Sequence, residues 1–428
     1  MALAQSRQDA LAARIDGLAV APRGWLAAAQ AEALARLTAM GLPGKRDEYW
    51  RYTDPASLIS SEAEPANLFD TRDEPPVFDA IDRLKIVFVD GVFDPAQSDD
   101  LALEGVQIER LEQAGTVDIH WARELYGVLE ARGQNPVQRP LAVLNSAFAS
   151  DGVLIRVTGK PSKPISLIYR RKSTYSDAML HHCIKIESGG EATVLENGPA
   201  AARMTKVMEV DVADGARFHH IRAQGRDHDR RAATHLFARI AKNAAFKSFT
   251  LTANGKMTRN EAVLELLGAD SVAHIAGAAL GDGDFHHDDT VFVTHAAERC
   301  ESRQVFKKVL KNGAVGVFQG KILVKQGAQK TDGYQISQSL LLDGDSQFLA
   351  KPELEIYADD VKCSHGSTSG AIDDTALFYL RSRGVPLRAA QSLLVLAFLA
   401  EAIAEIENED IAEDIRTRLQ GWLERHEH

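Results

Sequence analysis

Gly152-Val-Leu-Ile-Arg-Val, Pro164-Ile-Ser-Leu-Ile-Tyr, Cys183-Ile-Lys-Ile-Glu, Ala192-Thr-Val-Leu-Glu, Met208-Glu-Val-Asp-Val and Phe218-His-His-Ile-Arg follow one another with only short breaks. Each is a short run rich in β-branched or aromatic residues, which is the pattern of a strand. Gly, Asp and Asn punctuate the series at Ser188-Gly-Gly, Ala213-Asp-Gly, Leu267-Gly-Ala-Asp, Lys311-Asn-Gly and Asp343-Gly-Asp. The first two turns lie 213 − 188 = 25 residues apart, and the series reads as coils of about that length or multiples of it, the last interval being longer (343 − 311 = 32). No run with helical periodicity interrupts roughly 200 residues, whereas a doubly wound α/β sheet needs helices between its strands. A large sandwich and a solenoid both remain open. The coil-like spacing favours a solenoid in which each coil adds a strand to a growing parallel sheet, that is, a β-helix.

The flanks have a different texture. Trp25-Leu-Ala-Ala-Ala-Gln-Ala-Glu-Ala-Leu-Ala-Arg-Leu is a strong helix former, stopped by Gly41-Leu-Pro-Gly44. The polar stretch from Ser60 to Pro76 reads as a linker or surface excursion. Lys85-Ile-Val-Phe-Val-Asp-Gly-Val-Phe-Asp predicts strand, turn and short strand, and a helix is expected around Trp121 to Ala131. At Asp373-Asp374 the pattern returns to helix. Asp373 can cap a helix over Thr375 to Arg383, Gly384 ends it, and Pro386 opens a second over Leu387 to Ile406. A third follows from about Asp410 to Arg425. The second is apolar on most of its surface, so it must dock on the solenoid or on another protein. The expected organisation is an N-terminal helical region (1–80), a mixed connecting region (81–150), a β-helix core (151–372) and a C-terminal helical domain (373–428). Because each coil contacts mainly its neighbours, the core is expected to fold without residues 373–428.

Composition bounds the function. The chain has 428 residues with 45% hydrophobic and 25% charged, which excludes disordered and collagen-like classes. Its net charge of −11 argues against a nucleic-acid binder. The N-terminus lacks the apolar segment of a signal peptide. Leu393 to Ala400, closed by Glu401, falls short of the roughly 20 residues of a membrane span. A soluble, cytoplasmic protein is expected. The three cysteines, Cys183, Cys300 and Cys363, are too few for a disulfide framework.

The sharpest chemical feature is Val361-Lys-Cys-Ser-His-Gly-Ser-Thr, expected at the end of the strand Leu354-Glu-Ile-Tyr-Ala. Residues i and i+2 of a strand share a face, so Cys363 and His365 project together. A thiolate beside an imidazole can ligate iron or zinc, or form a nucleophile–base pair. Two ligands do not fill a tetrahedral site, so others must come from elsewhere, including another chain. The pairs His181-His182, His219-His220 and His286-His287 cannot chelate one ion from one strand, because adjacent residues face opposite ways. Solvated turns or strand edges are expected for them, although a loop at Phe285-His-His-Asp-Asp could gather its groups. Cys183 and Cys300 read as structural thiols. Asp288-Asp289 and Asp359-Asp360 read as solvated carboxylates, while His287, Asp288 and Asp289 keep open a polysaccharide-cleaving β-helix. No P-loop, G-x-G-x-x-G, G-x-S-x-G or H-E-x-x-H motif occurs.

Longer blocks carry more information. Ser302-Arg-Gln-Val-Phe-Lys-Lys-Val-Leu, Val317-Phe-Gln-Gly-Lys-Ile, Gln329-Lys-Thr-Asp-Gly-Tyr-Gln, Ser339-Leu-Leu-Leu and Lys351-Pro-Glu-Leu-Glu-Ile-Tyr-Ala-Asp-Asp-Val-Lys-Cys-Ser-His-Gly continue into Ile372-Asp-Asp and Leu377-Phe-Tyr-Leu-Arg-Ser-Arg-Gly-Val. With Gly41-Leu-Pro-Gly-Lys-Arg-Asp-Glu-Tyr-Trp-Arg-Tyr-Thr near the N-terminus, this resembles the SufB/SufD family of iron–sulfur cluster assembly proteins, and its SufD branch most. SufB members tend to carry Glu-His-Glu where SufD members, as here, carry Lys-Cys-Ser-His-Gly. The continuation Ser367-Thr-Ser-Gly370 departs from the usual Ala-Thr-Val-Gly.

The resemblance implies a mainly β fold: a right-handed parallel β-helix core flanked by helical ends. It implies a scaffold without catalysis of its own, in a complex with SufB and two copies of the ATPase SufC, the ATPase docking on the C-terminal helices. Phe378, Tyr379, Leu380, Arg381, Arg383 and Gly384 would meet that ATPase. Cys363 and His365 would lie at the SufB–SufD junction, near a transient iron or iron–sulfur cluster shared with SufB; no cofactor is expected to be held tightly by this chain alone. Whether the chain forms a homodimer when SufB is absent is left open by the sequence. A purely structural dimerisation partner without metal ligation is the alternative.

Overall fold

The structure is a computed structural model that describes residues 5–21, 23–68, 76–225 and 227–426. The N-terminal part holds α1 (Gln5–Ile15), α2 (Gly24–Met40) and the single turn α3 (Ala56–Ile59). Next come β1 (Leu84–Val89), β2 (Val92–Phe93), β3 (Val106–Arg110), α4 (Leu111–Ala114), α5 (Val128–Arg132) and α6 (Pro140–Phe148). The coils then begin with β4 (Val153–Val157), β5 (Ile165–Arg170), β6 (Asp177–Ile186), β7 (Glu191–Asn197), β8 (Arg203–Val212) and β9 (Arg217–Gln224). They continue through β10 (Arg231–Ile240), β11 (Ala245–Ala253), β12 (Met257–Leu266), β13 (Val272–Asp282) and β14 (His286–His295). The last are β15 (Glu301–Lys311), β16 (Val315–Val324), β17 (Asp332–Leu341), β18 (Gln347–Ile356) and β19 (Lys362–Gly370), followed by α7 (Asp374–Ser382), α8 (Leu387–Ile403) and α9 (Glu409–Arg425).

From β4 onward, successive strands alternate between two sheets. One runs β19-β17-β15-β13-β11-β9-β7-β5-β1-β2 and the other β18-β16-β14-β12-β10-β8-β6-β4-β3. Each coil lays one strand on each sheet, parallel to the strand of the coil before, as the strand-only pattern of residues 151–372 predicts. Coil length varies: Glu191 pairs with Arg217 (217 − 191 = 26) and Val315 with Gln347 (347 − 315 = 32). The interval of 25 read from the turns therefore lies just below the shortest coil. Turns are tight where coils stack. Gly215 has φ +68°, and a Cβ on Gly268 would lie 2.0 Å from the Lys242 nitrogen of the preceding coil.

Parallel strands covered on both faces read as continuous apolar runs, and both faces are covered here. Between the sheets, Ile155, Ile184, Val194, Val210, Phe218, Phe246, Leu264 and Phe318 form the inner core. Outside the β18-to-β3 sheet, Leu37, Leu141, Leu144 and Phe148 of α2 and α6 pack with Met179 and Ala233. Outside the other sheet, Val395, Leu399, Ala402 and Ile403 of α8 pack with Ile221, Phe249, Leu251, Ala276 and Val305, joined by Ile415, Leu419 and Trp422 of α9.

Several expectations change. Trp121 to Ala131 is not one helix: a 3-10 turn at Trp121–Glu124 is separated from α5 by Gly127 at φ +71°. The N-terminal part of the 60–76 excursion lies along the coils, with Arg203 donating to Ser60 O (2.6 Å) and Ala66 N to Thr174 O (2.9 Å). Residues 69–75 of it lie outside the described residues. The C-terminal helices match closely, and Asp373 caps α7 through Thr375 N (2.8 Å) and Ala376 N (3.2 Å). The apolar α8 docks on its own solenoid, pinned by Arg303–Glu405 (2.8 Å) and Lys307–Glu401 (2.7 Å). Removing residues 373–428 would strip an apolar sheet face, so the tail belongs to the core rather than being dispensable to it.

Leu399 is fully buried between α8 and the sheet. Leu399→Ala should cost about 2–5 kcal/mol in chemical denaturation; a loss below about 1 kcal/mol would mean that α8 does not seal this face.

Candidate functional site

The coil stack ends at β18 and β19. Among the described residues, β19 pairs only with β17, and β18 only with β16. Each therefore presents a free row of backbone N–H and C=O groups along nine or ten residues. Pro352 sits inside β18 opposite Gly320, a placement tolerated only on an edge strand.

Cys363 and His365 lie on β19 itself, at its first turn of the pleat, rather than at the end of the preceding strand, which stops at Ile356. Their register partners are Gly333 and Gln335, whose side of β17 faces the lumen. The two side chains thus share the inner flank of the last coil. Cys363 is half-buried beside Ile322, Leu354, Ala358 and Val361. Gly333 makes room for it: a Cβ there would come 3.2 Å from Cys363 Sγ. Partial burial pushes the thiol pKa up. His365 is exposed, and no described residue hydrogen-bonds to it. Farther along, Ser367 and Ser369 bond to Ser337 (2.6 Å) and Ser339 (2.9 Å), so the open end of the lumen is lined by hydroxyls.

The N-terminal block Gly41–Thr53 packs on the outer face of these same coils. Lys351 Nζ pairs with Glu48 (2.6 Å) and lies 4.1 Å from the Tyr49 ring centroid. Tyr49 donates to Glu353 (3.0 Å), Gln319 donates to Tyr49 O (3.1 Å), and Arg259 stacks on Trp50 at 4.2 Å. The two blocks that carried the resemblance, about 300 positions apart (351 − 48 = 303), meet in space and brace the terminal strand β18.

Phe378, Tyr379, Leu380 and Arg381 lie on α7, and Arg383 and Gly384 in the turn after it. No residue of α7 is buried. Phe378 is 68% and Tyr379 57% exposed, and Arg383 covers the Tyr379 ring at 5.6 Å. Leu387 and Leu393 of α8 are exposed as well.

The other candidates do not assemble. His287, Asp288 and Asp289 are strand residues of β14, not a loop, and all are buried rather than solvated. Asp289 faces the lumen and pairs with Lys308 at 2.6 Å, whereas Asp288 faces outward to Arg259 and to Thr53 (2.6 Å). Opposite faces and committed partners remove them as a paired acid and base. His181, His182, His219 and His220 are likewise buried, because the solenoid covers both sheet faces. Adjacent members do point apart: His182 bonds Tyr169 (3.0 Å) inside, and His181 bonds Glu209 (2.8 Å) outside. His181, Cys183 and Glu209 place their ligand atoms within 4.8 Å of one another. Glu209 there already accepts from Gly127, Leu129 (2.7 Å) and Glu130 (3.0 Å) backbone nitrogens, which anchors α5 to the sheet. Cys300 is buried against Ser271 (3.3 Å), and all three cysteines are free thiols.

The family model for the SUF system FeS cluster assembly SufBD core domain matches residues 169–398, which is more than half of the chain. The chain belongs to the SufBD family. It is 29% identical over 400 residues to the iron–sulfur cluster assembly protein SufD of Escherichia coli, covering 90% of each chain. An iron–sulfur cluster assembly SufBD family protein of Synechocystis is 26% identical over 394 residues, covering 86% of this chain and 85% of the relative. SufD of Bacillus subtilis is 25% identical over 289 residues, 65% of each. This SufBD protein therefore has a role in iron–sulfur cluster assembly. Among the described residues no helix is long and apolar enough to cross a membrane.

Burial sets a pH dependence. It holds the His182 pKa down at about 3 and those of His287 and His295 at about 4. These rings are neutral in the fold but protonate near 6.5 in the unfolded chain. The unfolded state then binds more protons, so stability is full above about pH 6.5 and falls toward pH 4, by up to roughly 1.4 kcal/mol per pH unit for each ring. Denaturation midpoints should fall across that window, and His287→Gln should flatten the fall; a pH-independent midpoint would contradict this.

Proposed function

We propose that this chain is a SufD-like scaffold subunit: it pairs with a SufB-like paralogue through the open end of its solenoid and docks a SufC-like ATPase on α7 and the start of α8. The observation that carries this is the free edge of β18 and β19, whose last strand bears a thiol and an imidazole on one flank. A second β-helix of the same architecture can continue both sheets across that edge through backbone hydrogen bonds. Iron or a nascent cluster is cargo here. His365 is the first choice of ligand and Cys363 the second, each needing further ligands from the partner to complete a coordination sphere. The exposed Phe378 and Tyr379 support an ATPase contact, since aromatic residues and Arg are favoured at interface centres. A movement driven by that ATPase would strain the junction and admit iron and sulfide. A cytoplasmic complex of this kind fits a chain without a P-loop of its own.

Half-burial of Cys363 in an apolar cluster favours a second reading, in which the chain only positions its partners and ligates no metal. The two separate in the co-expressed complex. His365→Ala should lower acid-labile sulfide and visible cluster absorption while leaving the complex assembled. Unchanged cluster content in a Cys363→Ser/His365→Ala double variant selects the purely structural reading.

The ATPase contact has its own check. Phe378→Ala/Tyr379→Ala should leave stability within about 0.5 kcal/mol, because both side chains are exposed. It should abolish co-purification of the ATPase; full retention places that contact elsewhere.

A further inference from the structure

The lumen of the solenoid is not uniformly apolar. Midway along it, charged side chains from successive coils point inward, all buried: Glu196, Lys206 and Arg222 in one group, Asp289 and Lys308 in another. Glu196 is saturated. It accepts from Tyr169 (2.6 Å), from His220 (2.7 Å) and from Lys206. Asp289 is committed to Lys308. The histidines among these groups are held neutral by burial. Three cations thus face two carboxylates, and 3 − 2 = +1 remains.

That surplus sits on one residue. A guanidinium carries five donors. Among the described residues Arg222 makes one hydrogen bond, from Nη1 to Thr234 Oγ1 at 2.8 Å, and its Nε is buried without a partner. No carboxylate among the described residues ion-pairs with it. The neighbouring polar groups cannot relieve it, being spent on one another: Thr234 donates to Asn260 (2.8 Å), and His220 bonds Ser248 (2.9 Å). Arg222 is only 7% exposed, and it borders two spaces, one of about 40 Å³ and one of about 10 Å³, with Lys206 on both; Asp289 and Glu261 also line the larger, and both are already paired, with Lys308 and with Arg139 and Arg259 respectively. A single water needs some 10–15 Å³ of such space, so the larger has room for an ion with a water or two. Waters alone would satisfy the spare N–H groups but not the charge, and an unpaired buried charge is costly.

We infer that the solenoid lumen holds a small monovalent anion, of halide size, in the cavity between Arg222, Lys206 and Asn260, where it completes the charge balance of the central coils. The ligand class is set by space and charge: the cavity is too small for phosphate with its hydration, and a divalent anion would overshoot a surplus of one. The site lies several coils from the β19 edge, so it is independent of the partner-binding reading.

The probe is bromide. The full chain, purified and crystallised with sodium bromide replacing chloride throughout, should show an anomalous peak within hydrogen-bonding reach of Arg222. In solution the unfolding midpoint should rise when bromide replaces gluconate at constant ionic strength, and Arg222→Met should remove most of that rise. A cavity holding water only, or a bromide effect of equal size in Arg222→Met, would overturn the inference. If Arg222→Met does not fold, the wild-type anomalous map decides alone: a peak in the cavity supports the site and its absence refutes it.

Discussion

Every coil of this protein owes its shape to the one before it. Strands pair in parallel with the equivalent strand of the preceding and following coil, so each backbone donor and acceptor in the sheets is satisfied by a neighbouring coil and not by its own. The constraint is strict along the stack and fails at its end. There β18 and β19 have a coil behind them and none in front. A β-helix can cap such an edge or use it. On the inner flank of β19 this chain puts a half-buried cysteine, an exposed histidine and a row of hydroxyls, and it braces β18 from outside with Glu48 and Tyr49. The bracing holds the edge strand in line with the coils behind it while leaving its open side clear.

The same stacking creates three places to bury side chains: the lumen and the two outer faces. The N-terminal helices cover one outer face and α8 with α9 the other, so the protein is a sandwich of helix, sheet, lumen, sheet and helix. This arrangement explains how charged strand residues come to be buried. Asp288 and Asp289, consecutive in sequence, end in different compartments with different cations, Arg259 outside and Lys308 inside. Removing one member of such a pair leaves a charge stranded in a low-dielectric interior, which costs far more than the pair itself contributes.

The architecture was legible in the sequence because strand texture and turn punctuation are local. Ser188-Gly-Gly and Ala213-Asp-Gly mark coil corners wherever the coils finally pack, and Asp373 caps its helix through neighbours two and three residues away. The shared flank of Cys363 and His365 followed from strand periodicity alone. What misled was solvent exposure. His181-His182 and Phe285-His-His-Asp-Asp look like surface chemistry when only one sheet face is imagined covered, and a solenoid with helices on both sides leaves neither face wet. The lumen network was also overlooked, although alternation carried its trace: in Phe218-x-His220-x-Arg222 the polar residues occupy the same flank as an obvious core phenylalanine. Tyr49 and Lys351 could not be connected by any local rule, since their contact spans most of the chain.

The central claim is that β19 is an unfinished ladder completed by a partner strand. Hydrogen–deuterium exchange on the full chain, alone and in complex with its paralogue, tests it directly. The account predicts that amides of residues 362–370 and 347–356 on the open side exchange quickly in the isolated chain and become strongly protected in the complex, with the central coils unchanged. Equal exchange at β18 and β19 in both states, with protection appearing elsewhere, would contradict it.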